Sequence, residues 1–99
     1  MRYDLSILIV EDESLIAEMI RVMIMDMNYP SPKVALTKEA AIGFLESGKV
    51  DFAILDLNLR EGMEGIVLAE IANQKGIPFM FLTSYSDQKT LQQAKETKP

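Results

Sequence analysis

Four short apolar runs, each of strand length, divide this chain and limit what it can fold into. The first and third are almost continuously apolar, which is typical of strands buried on both faces. The second run is shorter and is a weaker strand candidate. A proline stands directly before the fourth run, and the start of a strand tolerates the N–H that proline lacks. The runs are LSILIV (residues 5–10), KVAL (33–36), DFAILDL (51–57) and FMFL (79–82).

The segment that follows the first run has helical periodicity. It begins at Ser14, and its charged residues fall mostly on a different side from its apolar ones, which predicts an amphipathic helix. The sequence NYPSP then ends it. The apolar side chains that recur at helical spacing are Leu15, Ile16, Met19, Ile20, Met23 and Met27.

Three further helices are predicted between and after the remaining runs. Thr37 suits the N-cap of a helix that extends to about residue 47, with Gly48 as its stop. Another helix follows the loop NLREGMEG and extends to about residue 75. Asp87 caps a last, weakly amphipathic helix to about residue 96. The apolar side of the Thr37 helix consists of Ala40, Ala41, Phe44 and Leu45.

Strands and helices therefore alternate along the whole chain. This alternation predicts an α/β fold with a parallel sheet and helices on both faces. A length of 99 residues suits one domain, and no repeat, low-complexity segment or linker divides it. Ligands of open parallel sheets lie beyond the carboxyl ends of the strands, so we expect functional residues there.

Composition excludes several kinds of chemistry. Cysteine and histidine are both absent, which excludes disulfides, thiolate or imidazole metal ligands, Ser-His and Cys-His catalysis, and a phosphohistidine on this chain. A net charge of −5 argues against direct nucleic-acid binding. No apolar run reaches bilayer length and the N-terminus shows no export signal, so we expect a cytoplasmic protein without a membrane partner.

Acidic and hydroxyl side chains follow three of the predicted strands. Glu11, Asp12 and Glu13 come after the first strand, Asp56 ends the third, and Thr83 follows the fourth. One interpretation of the first three is a solvated acidic loop at a helix N-terminus. Carboxylates that converge from two strands repel one another unless a cation lies between them, and oxygen ligands favour Mg²⁺. A metal-bound carboxylate such as Asp56 can also attack a phosphoryl group.

Two further residues are candidates for the same site, with weaker support from the sequence. The Thr83 hydroxyl suits a hydrogen bond to a phosphoryl oxygen, but a hydroxyl at a strand end also caps local backbone. Asn58 can offer its backbone carbonyl to the cation, a role that does not depend on the side chain.

Four segments of the chain, taken in the order in which they occur, resemble the receiver domain of response regulators in two-component signalling. They are ILIVEDE, DFAILDLNL, EGMEGIVLAE and IPFMFLTSYSD, and together they cover most of the chain. The resemblance implies a flavodoxin-like, doubly wound parallel sheet with strand order 2-1-3-4, in which the fifth βα unit of the family is missing.

The resemblance also implies a role for each matching residue. Glu11 and Asp12 correspond to the acidic pair that binds Mg²⁺, Asp56 to the phosphoacceptor, Asn58 to the carbonyl metal ligand and Thr83 to the switch hydroxyl. A sensor histidine kinase or phosphotransfer protein would supply the phosphoryl group. Phosphorylation would draw Thr83 inward and change the surface near the last helix, which controls an output domain or partner. The domain would assist only its own phosphorylation and dephosphorylation.

The chain ends on QQAKETKP, and this segment departs from the family pattern. In the family an active-site lysine followed by proline stands at the end of the fifth strand. No apolar run separates the predicted last helix from Lys98, so we interpret Lys98 as a surface charge and expect a C-terminally truncated receiver domain over residues 1–99. The open edge at Phe79–Leu82 then predicts instability, strand exchange, or a homodimer through that edge or the last helix.

Two other functions stay open at this point. A pseudo-receiver would bind a partner without any phosphoryl transfer. A haloacid-dehalogenase-like, Mg²⁺-dependent phosphatase also places an aspartate nucleophile after an apolar strand. That class needs a second aspartate two residues later as general acid, and Asn58 occupies the position here.

Overall fold

The computed structural model describes residues 4–56 and 65–82 of the chain, and these residues alternate between strands and helices. The order of the first seven predicted elements is confirmed. The predicted last helix, Asn58, Thr83 and Lys98 lie outside the described residues. The strands are β1 (Ile7–Val10), β2 (Lys33–Ala35), β3 (Phe52–Asp56) and β4 (Phe79–Leu82), and the helices are α1 (Ser14–Asp26), α2 (Lys38–Glu46) and α3 (Gly65–Gln74).

The four strands form one parallel sheet in the order β2-β1-β3-β4. Val10 of β1 pairs with Ala35 of β2 on one side and with Leu55 of β3 on the other. Every residue of β1 is buried, as expected for a central strand with both faces covered. The structure confirms the doubly wound, flavodoxin-like arrangement with order 2-1-3-4.

Alternate residues of the central strands separate the core into two layers. Leu8 and Leu55 belong to the layer that packs against α2 and α3. Ile7 and Ile9 belong to the other layer, which packs against Ile24 of α1. The connection from β1 to β2 leads toward one edge of the sheet, whereas the next two connections, to β3 and then to β4, lead toward the other edge. Because connections between parallel strands are right-handed, α1 covers one face of the sheet and the helices α2 and α3 cover the other.

Helix α2 begins and ends as its sequence predicts. Thr37 is its N-cap, and the Thr37 hydroxyl oxygen accepts a hydrogen bond from the Ala40 N–H at 3.1 Å. Gly48 follows the helix with a φ of 78°, a left-handed conformation that favours glycine. Ala41 and Leu45 are buried as predicted, whereas Ala40 is exposed.

Helix α1 forms as predicted, but its wide apolar side is largely exposed. Only Ala17 and Ile24 are buried, whereas Leu15 is 73% exposed, Met19 57% and Met23 61%. Ala17 and Ile24 are two helical turns apart and form a narrow stripe against the sheet. The apolar residues of α1 cover a wider arc than this one contact can bury, so the remaining ones face outward. Within the described residues, no helix is both long and apolar enough to cross a bilayer.

Candidate functional site

The predicted acidic residues of two adjacent strands meet at the carboxyl edge of the sheet. Glu11 directly follows β1, and Asp56 is the last residue of β3. Val10 pairs with Leu55 in the parallel register, so the next residue on each strand places Glu11 beside Asp56. The pairing of β1 with β3, which are far apart in the sequence, therefore fixes the relative position of these two carboxylates.

Three carboxylates form a cluster at this edge. One oxygen from each of Glu11, Asp12 and Asp56 lies within 4.8 Å of the other two. Glu11 is 3% exposed and Asp56 is 9% exposed, whereas Asp12 is half-buried. The interpretation of Glu11, Asp12 and Glu13 as a solvated acidic loop is therefore wrong for Glu11, which is buried, whereas Glu13 is exposed.

Backbone hydrogen bonds hold Glu11 at both ends. Its N–H donates to the carbonyl oxygen of Ala35 in β2 at 3.1 Å. Its carboxylate oxygen Oε2 accepts a hydrogen bond from the N–H of Glu13 at 3.0 Å. Glu13 is the N-cap residue of α1, and its own side chain is exposed. The carboxylate of Glu11 thus has a fixed direction relative to both the sheet and the start of α1.

The environment of Glu11 favours its protonated form. Burial is the main cause that raises the pKa of Glu11 from 4.5 to about 7, and the hydrogen bond from the Glu13 N–H opposes this rise. A hydrogen bond with the Asp56 carboxyl and the negative charges of Asp56 and Asp12 raise the pKa further. Protonated Glu11 donates this hydrogen bond, so one proton relieves the repulsion within the cluster.

A bound cation would relieve the same repulsion, and the donor set suits Mg²⁺. All three donors are carboxylates, which are hard oxygen ligands. Their spacing is comparable with the span of about 4 Å across an octahedral Mg²⁺ ion, whose bonds are about 2.1 Å long. The cluster therefore offers ligands from two strands to one ion, with the remaining positions open to water or substrate oxygens.

Sequence analysis identified the three acids but missed the N–H of Glu13. Any residue except proline offers a backbone N–H, so residue identity does not reveal this donor, although an acidic residue two positions before the N-cap of a helix is a weak signal for such a bond. The predicted roles of Asn58 and Thr83 fall outside the described residues.

Comparison with known families identifies the family of this chain. The family model for the response regulator receiver domain matches residues 7–98. The chain belongs to this family. Receiver domains are in general signalling modules and not enzymes.

Solved receiver structures resemble this one over most of its length. The signal receiver domain of a modulated diguanylate cyclase from Desulfovibrio desulfuricans G20 is 32% identical, with a TM-score of 0.80 over 97% of this chain and 78% of that one. The response regulator TrrA from Thermotoga maritima, in complex with Mg²⁺-BeF, is 31% identical, with a TM-score of 0.73 over 83% and 71% of the two chains.

A third solved structure is the BeF3-activated conformation of SdrG from Pseudomonas melonis Fr1. It is 36% identical, with a TM-score of 0.77 over 92% of this receiver domain and 77% of that chain. Among curated proteins, no match to this chain is found.

Proposed function

We propose that this receiver domain accepts a phosphoryl group on Asp56 and that Glu11, Asp12 and Asp56 hold the Mg²⁺ ion that the transfer requires. The observation that carries the proposal is the carboxylate cluster, whose oxygens lie within 4.8 Å of one another at the carboxyl edge of the sheet. A relative was solved with Mg²⁺ and a beryllium fluoride, which resembles a phosphoryl group in shape and charge. This likeness supports the assignment of both ligands.

The proposed reaction is a transfer between a phosphohistidine and a carboxylate. An Asp56 carboxylate oxygen attacks phosphorus, an O–P bond forms, the P–N bond breaks, and the electron pair of that bond returns to the imidazole. When bound, Mg²⁺ offsets the charge on the carboxylates and on the phosphoryl oxygens. Glu11 and Asp12 orient the site and remain unmodified. These 99 residues contain no histidine, so the donor imidazole lies outside them.

The proposal assigns two further roles to residues outside the described part of the chain. The backbone carbonyl of Asn58 would supply a further oxygen ligand to the cation, and the Thr83 hydroxyl would bind a phosphoryl oxygen and move with it. The donor is a sensor histidine kinase or a phosphotransfer protein in the cytoplasm, and the changed surface controls an output domain or partner. A Thr83→Ala variant is expected to be phosphorylated but to lose the conformational response, measured as the phosphorylation-dependent change in amide exchange.

Intact mass after incubation with Mg²⁺ and acetyl phosphate tests the proposal. We expect a gain of one phosphoryl group, and the modified peptide should contain Asp56. The Asp56→Asn variant should show no gain, and a chelator should abolish the gain in the unmodified protein. Rapid release of phosphate from unrelated phosphate esters would support a phosphatase instead.

Asp51→Asn is the matched control for this experiment. Asp51 precedes the same strand at its opposite end, where its carboxylate accepts a hydrogen bond from the Ser6 N–H at 2.8 Å, which asparagine can also do. This variant should be phosphorylated like the unmodified protein. A gain that persists in Asp56→Asn, or no gain in a protein that binds Mg²⁺, would contradict the proposed role of Asp56.

A further inference from the structure

A backbone donor lies directly beside the carboxylate cluster. The N–H of Glu13 donates to Oε2 of Glu11 at 3.0 Å, and Glu11 is 3% exposed, so this oxygen has little access to water. The N–H of Glu11 is itself bound to the carbonyl oxygen of Ala35 at 3.1 Å. The main chain and the carboxylate of Glu11 are therefore both held in place before any cation binds.

The hydrogen bond from Glu13 limits how Glu11 can bind a cation. A carboxylate binds a cation through one oxygen or through both, and binding through both requires the two oxygens to face the same ion. Oε2 of Glu11 instead accepts the N–H at the start of α1. Both oxygens can face one ion only if this bond is broken or distorted, which is unfavourable for a part-buried N–H that then lacks an acceptor.

The number of available oxygens favours a small cation. Glu11, Asp12 and Asp56 each place one oxygen within 4.8 Å of the others, which supplies three ligands. Mg²⁺ binds about six oxygens in a near-octahedral arrangement and usually keeps several of them as water. Ca²⁺ takes about six to eight oxygens at longer distances and often binds a carboxylate through both of its oxygens. A glutamate that offers one oxygen therefore suits Mg²⁺ better than Ca²⁺.

We propose that the backbone N–H of Glu13 positions Glu11 as a one-oxygen ligand and thereby makes the site prefer Mg²⁺ to Ca²⁺. The inference rests on the cation site of the proposed function and adds the group that determines its metal specificity. Groups that hydrogen-bond to a metal ligand orient it, and their removal typically lowers metal affinity about 10- to 100-fold. Glu13 acts through Glu11, so it is a positioning residue.

The main chain of Glu13, and not its side chain, has this role. The side chain is exposed and makes no capping hydrogen bond to the first turn of α1. The carbonyl oxygen of Glu13 accepts a helical hydrogen bond from the N–H of Ala17 at 3.0 Å. Proline at position 13 removes the N–H and keeps this carbonyl, whereas alanine keeps both groups. Since both substitutions remove the carboxylate, their comparison isolates the backbone donor.

The backbone at Glu13 is close to the conformation that proline adopts. Glu13 is extended, with a φ of −101° and a ψ of 111°, and proline fixes φ at about −65°. The N–H of an N-cap residue makes no hydrogen bond within the helix, so its loss leaves the helix ladder intact. We therefore expect Glu13→Pro to fold, which far-ultraviolet circular dichroism and urea unfolding check against Glu13→Ala.

Isothermal titration calorimetry with Mg²⁺ and with Ca²⁺ tests the proposal at about pH 9, where Glu11 is ionised. Glu13→Ala should keep the ratio of Mg²⁺ to Ca²⁺ affinity of the unmodified protein, because the lost charge weakens the binding of both cations alike. Glu13→Pro should lower this ratio about tenfold or more. An equal ratio in the two variants, or an unmodified protein that binds Ca²⁺ as tightly as Mg²⁺, would overturn the proposal.

Amide hydrogen exchange gives a second measurement that uses the unmodified protein and does not depend on the folding of a variant. The Glu13 amide should stay protected from exchange when Mg²⁺ saturates the site, because its acceptor Oε2 is not a ligand of the ion. A Glu13 amide that loses its protection in the Mg²⁺-saturated protein would show that Oε2 turns to the cation, which contradicts the positioning role.

Phosphorylation separates this inference from the proposed function. If Asp56 gains a phosphoryl group while Glu13→Pro and Glu13→Ala have equal affinity ratios, only the positioning role of Glu13 is wrong. If Glu13→Pro lowers the ratio but the unmodified protein gains no phosphoryl group, the cation site and its specificity stand and the phosphoryl transfer is wrong. An unmodified protein that binds no Mg²⁺ would overturn both.

Discussion

The carboxyl groups of Glu11 and Asp56 lie within 4.8 Å of each other, and both are almost fully buried. The parallel pairing of β1 with β3 imposes this proximity, because the register that joins Val10 to Leu55 carries the next two residues to the same edge. A proton on Glu11 and a cation between the carboxylates each relieve the repulsion. Protons and Mg²⁺ are therefore expected to compete for this site.

The first prediction concerns the pH dependence of Mg²⁺ binding. The pKa of Glu11 is raised to about 7, so below this pH the binding of a cation must displace about one proton. We expect the apparent Mg²⁺ affinity to fall about tenfold for each pH unit below about 7 and to be nearly constant above it. Isothermal titration calorimetry across this range measures the affinity, and buffers of different ionisation enthalpy measure the released proton.

Glu11→Gln is the control for this measurement. It should bind Mg²⁺ more weakly at high pH, because one charged ligand is lost, and its affinity should vary little near neutral pH. A flat profile in the unmodified protein, or an equally steep one in Glu11→Gln, would show that another group controls the competition.

The second prediction concerns the stability of the metal-free protein. Glu11 has a raised pKa in the folded state, so between about pH 4.5 and 7 the folded chain binds more protons than the unfolded chain. The stabilisation by protonated Glu11 is complete below about pH 4.5 and is lost as pH rises through about 7. Urea unfolding in the presence of a chelator should therefore show a Glu11-dependent loss of stability over this interval.

Two comparisons isolate this effect. Glu11→Gln cannot ionise, so at pH 8 it should be more stable than the unmodified metal-free protein, by on the order of 1–3 kcal/mol. Mg²⁺ at about 100 times its dissociation constant should stabilise the unmodified protein by about 2.7 kcal/mol. If Glu11→Gln shows the same decline with pH, the carboxyl of Glu11 is not its source.

The strands and the ends of helix α2 could be predicted because local sequence patterns determine them and the tertiary structure agrees with those patterns. β1 and β3 are continuously apolar and end in acids, so both their burial and the location of the site could be predicted from sequence. Thr37 is favourable as an N-cap and Gly48 is favourable after a helix end, and both residues have these positions in the structure. The distances between Glu11, Asp12 and Asp56 depend on the strand order, which places β1 beside β3. The sequence implied this order only through the resemblance to receiver domains.

The burial of α1 could not be predicted in the same way. Periodicity shows which residues share a side of a helix, but it does not show how much of that side the sheet can cover. Ala17 and Ile24 make the contact with the sheet, whereas Met19 and Met23 extend the apolar arc beyond it. The hydrogen bond from the Glu13 N–H to Glu11 has only a weak signal in the sequence, since any residue but proline offers that donor.

The third prediction concerns the cap of α2. The Thr37 hydroxyl accepts a hydrogen bond from the Ala40 N–H, which has no partner within the helix. Thr37→Ala should reduce the free energy of unfolding by about 1 kcal/mol. Thr37→Asp keeps an acceptor at the N-cap and should retain or slightly increase stability, because a negative charge is favourable there. Equal losses in both variants, measured by urea unfolding, would show that the hydroxyl does not stabilise the helix start.

The fourth prediction compares the same substitution at a buried and an exposed leucine. Leu8 of β1 is 0% exposed in the layer beneath α2 and α3, whereas Leu15 of α1 is 73% exposed. Leu8→Ala should reduce the free energy of unfolding by about 2–5 kcal/mol, through lost apolar burial and the cavity that remains. Leu15→Ala removes the same atoms from a helix surface, and its effect should stay within about 0.5 kcal/mol.

Urea unfolding followed by far-ultraviolet circular dichroism measures the free energy of unfolding of both variants. A large cost of Leu15→Ala would mean that another part of the same chain packs on this side of α1, and a small cost of Leu8→Ala would contradict the burial of Leu8.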